Sequence, residues 1–113
     1  MHELSLALSL VRQVEELAKT YNARKIAGIN VLLGKLSGVE RESFEFCFPI
    51  ACEGSIAEGA VLHVQEIPVS VKCKSCGRES EAEVSYLSCS ACSSMDVKII
   101  GGKEFLIDSM EID

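Results

Sequence analysis

The chain has 113 residues, a formal net charge of -6 and a pI near 4.9. That length predicts one domain, or one domain with a small insert, and an acidic balance with no basic run argues against nucleic acid and anionic membrane as partners. No apolar run approaches the ~20 residues of a membrane span, and Glu3, Glu15 and Glu16 with no basic leader read as no signal peptide, so the cytoplasm is the expected compartment.

Tryptophan is absent and aromatic residues are 5% of the chain, so Leu, Ile, Val and Ala must fill most of the core. Residues 4–21 read as a helix: Leu4, Ala7, Leu8, Val11 and Ala18 recur at helical spacing, while Arg12, Glu15, Glu16 and Lys19 fall largely between the apolar stripes. "KIAGINVLLG" reads as a strand and "GKLSGVE" as a loop with two glycines. A second helix is expected over about 41–53 on Phe44, Cys47, Phe48 and Ala51. Pro49 removes one of its hydrogen bonds and crowds the carbonyl of Glu45, which predicts a kink or a broken last turn. "AVLHVQEIPVSV" alternates as a half-buried strand does, interrupted at Pro68. A cysteine-rich stretch follows, and "KEFLIDSMEI" closes the chain as a strand. There Phe105, Ile107 and Ser109 are expected on one face and Leu106, Asp108 and Met110 on the other.

The charges divide along the same seam. Residues 69–101 hold Lys72, Lys74, Arg78 and Lys98 against Glu79, Glu81, Glu83 and Asp96, four against four, so the whole excess of acid lies on the flanking part.

"CKSC" and "CSAC" place Cys73 with Cys76 and Cys89 with Cys92, twelve residues apart. Two-residue spacing lets both thiolates of one turn face the same ion at ~2.3 Å, and two such turns complete a tetrahedron. Four thiolates leave no open position, so the site reads as structural, holding a lobe too small to build its own core. Zinc is favoured over iron, although four sulfurs alone do not exclude iron. The competing reading, two redox pairs, lacks the helix start that such a pair requires. Cys47 and Cys52 read as buried small apolar side chains.

The terminus "MHE" offers a different chemistry. The amine of Met1, the backbone nitrogen of His2 and its Nδ1 are linked through a five- and a six-membered ring. With the amide deprotonated they lie nearly in one plane, and the amide or carboxylate of Glu3 can add a fourth donor. Planar nitrogen donation suits Ni(II) or Cu(II) and suits tetrahedral zinc poorly. The plain alternatives stay open: a second-position histidine on a frayed end, and an acid favoured at a helix N-terminus.

Taken in order, "MHELSLALSL", "LLGKLSGVE", "EGSIAEGAVL", "CKSCG…CSAC" and a closing strand resemble the HypA/HybF family of nickel metallochaperones of [NiFe]-hydrogenase maturation. The resemblance implies an α+β fold: two helices packed on a small three-stranded sheet, with a zinc-ribbon lobe inserted before the last strand. The implied domains are residues 1–68 plus 102–113, which bind nickel, and residues 69–101, the ribbon. It implies Ni(II) carried as cargo on Met1, His2 and Glu3, and structural Zn(II) on Cys73, Cys76, Cys89 and Cys92. The GTPase HypB and the hydrogenase large-subunit precursor become the expected partners, with the chain a monomer or homodimer. Glu40 has two readings: a capping box with Ser37 at the N-cap and Glu40 reaching back, or an outer nickel ligand. Gly77 and Ser93 follow the cysteine pairs where some relatives carry histidine, so a histidine switch at the zinc is not expected, and His63 reads as a sheet residue. No nucleophile with a positioned base, phosphate-cradling loop or open zinc set is present, so no enzyme is expected. The rival reading is a zinc-ribbon interaction module without nickel delivery.

Overall fold

The computed structural model describes residues 2–113. In chain order the elements are α1 (His2–Thr20), β1 (Ile26–Gly34), α2 (Arg41–Cys52), β2 (Val61–Ile67), β3 (Val69–Cys73), β4 (Glu79–Ala82), β5 (Val97–Gly101) and β6 (Phe105–Ile112). They form two three-stranded sheets, in the orders β2-β1-β6 and β4-β3-β5. The chain divides into two compact units. One is built from residues up to Val31, Val39–Gln65 and Leu106–Asp113; the other from Leu32–Gly38 and Glu66–Phe105. No described helix is long and apolar enough to cross a membrane.

In the first unit α1 buries Ala7, Leu10, Val11, Val14 and Ala18, one stripe at three- and four-residue steps. It stops where Asn22 takes a left-handed φ of 54°. There the Ala23 and Asn22 amides donate back to the carbonyls of Ala18 and Lys19, which closes the helix end. β1 is the central strand because it is the most continuously apolar, and its part in this unit buries Ile26, Ile29 and Val31. From α2, Phe44, Cys47, Phe48, Ala51 and Cys52 complete that core. The helix continues through Pro49 to Cys52, so the last turn is not broken. Only one turn follows the proline, and the Glu53 amide closes it with a tight bond to the Ile50 carbonyl. Phe44 is fully buried, so Phe44→Ala is expected to cost about 3–5 kcal/mol. The urea midpoint followed by far-UV circular dichroism reads this out, and a loss under about 1 kcal/mol would mean that the ring does not anchor the core.

In the second unit β3 is central and buries Val69, Val71 and Cys73 on alternate residues. It pairs antiparallel with β4 from Val69↔Ala82 to Lys72↔Glu79, and with β5 from Ser70↔Gly101 to Cys73↔Val97, with a register shift between Ser70 and Val71. Gly34 and Gly102 meet backbone to backbone, and a Cβ on Gly34 would fall 2.1 Å from the Gly102 carbonyl oxygen. Both must therefore be glycine for this approach. In β6 Ile107 and Met110 are half-buried, whereas Asp108 and Ser109 are both exposed, so burial does not alternate along the whole of this edge strand. The Ser109 hydroxyl accepts a hydrogen bond from the Asn30 side chain at 2.8 Å, and the Glu111 carboxylate lies over Gly28, so Ser109 and Glu111 share a face, as two-residue alternation requires.

Candidate metal centres

The four cysteines of the two pairs converge. The Sγ atoms of Cys73, Cys76, Cys89 and Cys92 all lie within 4.8 Å of one another. Cys73 and Cys92 are 3.5 Å apart and Cys76 and Cys89 3.7 Å. Four sulfurs at ~2.3 Å from one ion would be separated by about 3.8 Å, whereas a disulfide needs about 2.05 Å. The spacing fits a shared tetrahedral ion, and none of the four is in a disulfide.

The two turns that build the site are copies of one another. The Cys73 amide donates to the Arg78 carbonyl and the Gly77 amide to that of Cys73. In the second turn Cys89 and Ser93 make the same bonds to Ser94 and Cys89. Each turn needs a left-handed residue after its second cysteine, filled by Gly77 at φ 78° and Ser93 at φ 64°. Amides then point at sulfur: Ser75 and Cys76 donate to Cys73 Sγ at 3.3 Å, and Ala91 to Cys89 Sγ at 3.4 Å. The Cys76 amide, aided by Ser75, draws the Cys73 thiol down to about 6. The amides of Cys92 and Ala91 lower Cys89 in the same way. The Ser94 amide also favours the Cys92 thiolate, but the neighbouring sulfurs, Cys73 first and then Cys89 and Cys76, together with partial loss of solvent prevail, pushing Cys92 up to about 12. Crowded thiols thus part with their protons unequally, and a cation that replaces those protons relieves the crowding.

The residues singled out at the terminus fall in a second place, at the head of α1. Met1 lies outside the described residues. His2 opens the helix with an exposed imidazole, and its Nδ1 is 3.6 Å from Glu3 Oε2. Amides of a first helical turn have no intrahelical acceptor. Glu3 is more enclosed, its side chain 14% exposed, and its Oε2 accepts the backbone N–H of Glu40 at 3.2 Å. That contact, with 37 residues between its partners, joins the head of α1 to the head of α2. The Glu40 amide is the main reason the Glu3 carboxyl sits below its ordinary value; Glu3's own amide and His2 act in the same direction.

Glu40 corrects the capping-box reading. Glu40 itself, not Ser37, is the N-cap of α2, and its carboxylate accepts from the amides of Glu42 at 3.3 Å and Ser43 at 2.6 Å. The Ser43 hydroxyl, then these amides, hold the Glu40 carboxyl low as well. With folded values depressed, the stabilisation from Glu3 and Glu40 is complete above the ordinary carboxylate pKa and is lost as pH falls through their folded values. Ser37 matched the preferred N-cap types, so the sequence offered no signal for a glutamate cap.

The remaining candidates stay apart from both places. His63 is exposed on β2. Cys47 and Cys52 are buried in α2, and burial, with Glu15 nearby, pushes the Cys52 thiol up to about 11. Both act as small core residues rather than nucleophiles.

Comparison with known proteins agrees with this geometry. The family model described as "Hydrogenase/urease nickel incorporation, metallochaperone, hypA" matches residues 1–112. The hydrogenase maturation factor HypA of Chlorobaculum tepidum is 42% identical over 113 residues, covering all of both chains. That of Nitrosospira multiformis is 36% identical over 112 residues, 99% of this chain and 97% of the relative. The solution structure of the Ni metallochaperone HypA from Helicobacter pylori superposes with a TM-score of 0.70 at 30% identity, covering 97% of this chain and 96% of that one. A second HypA solution structure gives 0.73 at 32% identity over 99% and 96%. Matched over residues 1–112 by that family model and 36–42% identical to these relatives over nearly its whole length, the chain belongs to the HypA family, described as metallochaperones of hydrogenase and urease nickel incorporation.

Proposed function

We propose that this chain binds Ni(II) at its N-terminus and delivers it in the cytoplasm during [NiFe]-hydrogenase maturation, while Zn(II) on Cys73, Cys76, Cys89 and Cys92 holds the ribbon together. In this reading residues 1–68 plus 102–113 are the nickel-binding domain and residues 69–101 the ribbon. The nickel donors are the Met1 amine, the amide nitrogen and Nδ1 of His2, and Glu3. The observation that carries it is the convergence of His2 and Glu3 with the backbone of Glu40 at the heads of two helices. The donor set serves a carrier because the planar field disfavours zinc, and reprotonating one backbone nitrogen opens it. HypB and the hydrogenase large-subunit precursor are the proposed partners, with any GTP hydrolysis on the partner's side.

Nickel titration of untagged protein tests the reading. One equivalent of diamagnetic nickel is expected, and none in His2→Ala with its zinc retained. Full uptake by His2→Ala would leave a ribbon-type interaction module as the better description.

Glu40 is assigned here as the cap that positions Glu3, not as a nickel donor, because its carboxylate already holds the α2 amides. Glu40→Gln keeps an oxygen for those amides. It is expected to preserve nickel affinity within about threefold and the thermal midpoint within about 2 °C, whereas Glu40→Ala lowers the midpoint by about 5 °C. A tenfold loss of nickel affinity in Glu40→Gln at an unchanged midpoint would instead make the carboxylate a ligand.

A further inference from the structure

A groove of about 410 Å³ runs beside β6 in the first unit, lined by Leu17 and Tyr21 of the α1 end and by Ile107, Asp108, Met110 and Ile112 of β6. Its walls are more apolar than an ordinary surface patch, since Leu17 and Ile112 are well exposed and Tyr21 is 68% exposed. Among the described residues β6 pairs only with β1, so the strand also turns one backbone edge outward. An apolar trough beside an open strand edge is what an extended peptide needs: main-chain hydrogen bonds along the edge, with alternate side chains in the trough.

Charge decides between occupants. Asp108 is exposed and has no hydrogen-bond or ion-pair partner among the described residues. Asp108 and Glu111 are the charges of β6, which has no base, and the chain as a whole carries -6. Past the strand's end the Arg24 amide donates to the Asp113 carbonyl and the Asp113 amide to that of Lys25, backbone to backbone. The Glu111 carboxylate lies over Gly28 of β1, so Asp108 sets the charge of the groove: a second copy of this chain would bring another Asp108 and no base from β6, at a cost, whereas a basic segment would gain from it. We propose that the outer edge of β6 and this groove receive an extended segment of a partner protein, with apolar residues at alternate positions and a lysine or arginine opposite Asp108. The surface is independent of both metal sites.

The test uses the full zinc-loaded chain, labelled with nitrogen-15, and three blocked ten-residue peptides: alternating valine and lysine, alternating valine and glutamate, and the lysine peptide with proline at its centre. The lysine peptide is expected to shift amides of 107–112 and of Leu17 and Tyr21 saturably. It should bind at least tenfold more tightly than the glutamate peptide, and the proline peptide should not bind. Asp108→Asn should weaken the lysine peptide at least threefold, and Tyr21→Ala at least fivefold. Both positions are exposed, and unchanged zinc content reports intact folding. Three outcomes would overturn the proposal: no saturable shift on β6, equal binding of all three peptides, or shifts of the same amides on raising protein concentration alone. The last would assign the edge to a second copy.

Discussion

Cys73→Ser is expected to strip the metal from the second unit and to melt β3, β4 and β5, while α1, α2 and their sheet persist. The physical reason is the poverty of the core there. Its buried apolar side chains beyond the cysteines are Leu33, Val69 and Val71, and a lobe of this size cannot offset its chain entropy with so little burial. Structural zinc supplies about 10–16 kcal/mol in small zinc-binding peptides at neutral pH, far above what three aliphatic side chains contribute. Metal analysis should fall from one equivalent of zinc to below about 0.1. The ribbon amides should collapse into the random-coil region of the nitrogen-proton spectrum, with those of α1 undisturbed. Because each thiol must lose its proton to bind, wild-type metal should also leave progressively on acidification. A Cys73→Ser protein that kept its zinc and its dispersed ribbon signals would contradict the structural role.

Adding a single residue ahead of Met1 is expected to lower nickel affinity by at least a hundredfold. The extension converts an amine into an amide, which removes one donor and breaks the five-membered ring that sets the plane. His2, Glu3 and Glu40 keep their side chains, so a site built of side chains alone would survive the change. Zinc content and the thermal midpoint should not move, since the four cysteines lie in the other compact unit. Unchanged nickel uptake by the extended protein would place the metal elsewhere.

What could be read from the sequence tracks how local the physics is. α1 was legible because its burial follows a period set within the helix itself, and β1 because a short, nearly continuous apolar run is itself the mark of a central strand. The cysteine cluster was legible because two-residue spacing already dictates a shared ion. Glu40 was not, since ranking N-caps by residue type favours Ser37, while the helix start is set by where α2 meets Glu3 across 37 positions. The exposure of Ser109 was hidden for a similar reason: its hydroxyl is engaged by Asn30, 79 residues away, on a face that the pattern of β6 alone does not mark as open. At Pro49 a broken last turn was one of two outcomes the sequence left open, and it does not occur: the residues after the proline still bond back to carbonyls other than that of Glu45. Ser93 carried no mark of its left-handed backbone, and only the symmetry of the two turns explains it. The ribbon strands β4 and β5 were also missed: ESEA is too short and polar to alternate visibly, and VKIIG was passed over at the end of the cysteine-rich stretch.

Each CxxC turn contributes one shielded sulfur and one open one: Cys73 and Cys89 are buried, Cys76 and Cys92 exposed. An ion held by the four is therefore reachable from one hemisphere only. A chelator or oxidant must begin at the second cysteine of a turn, and the inner pair keeps its grip while the outer pair is contested. Metal loss from such a clasp proceeds in steps, and it is reversible until the inner sulfurs let go.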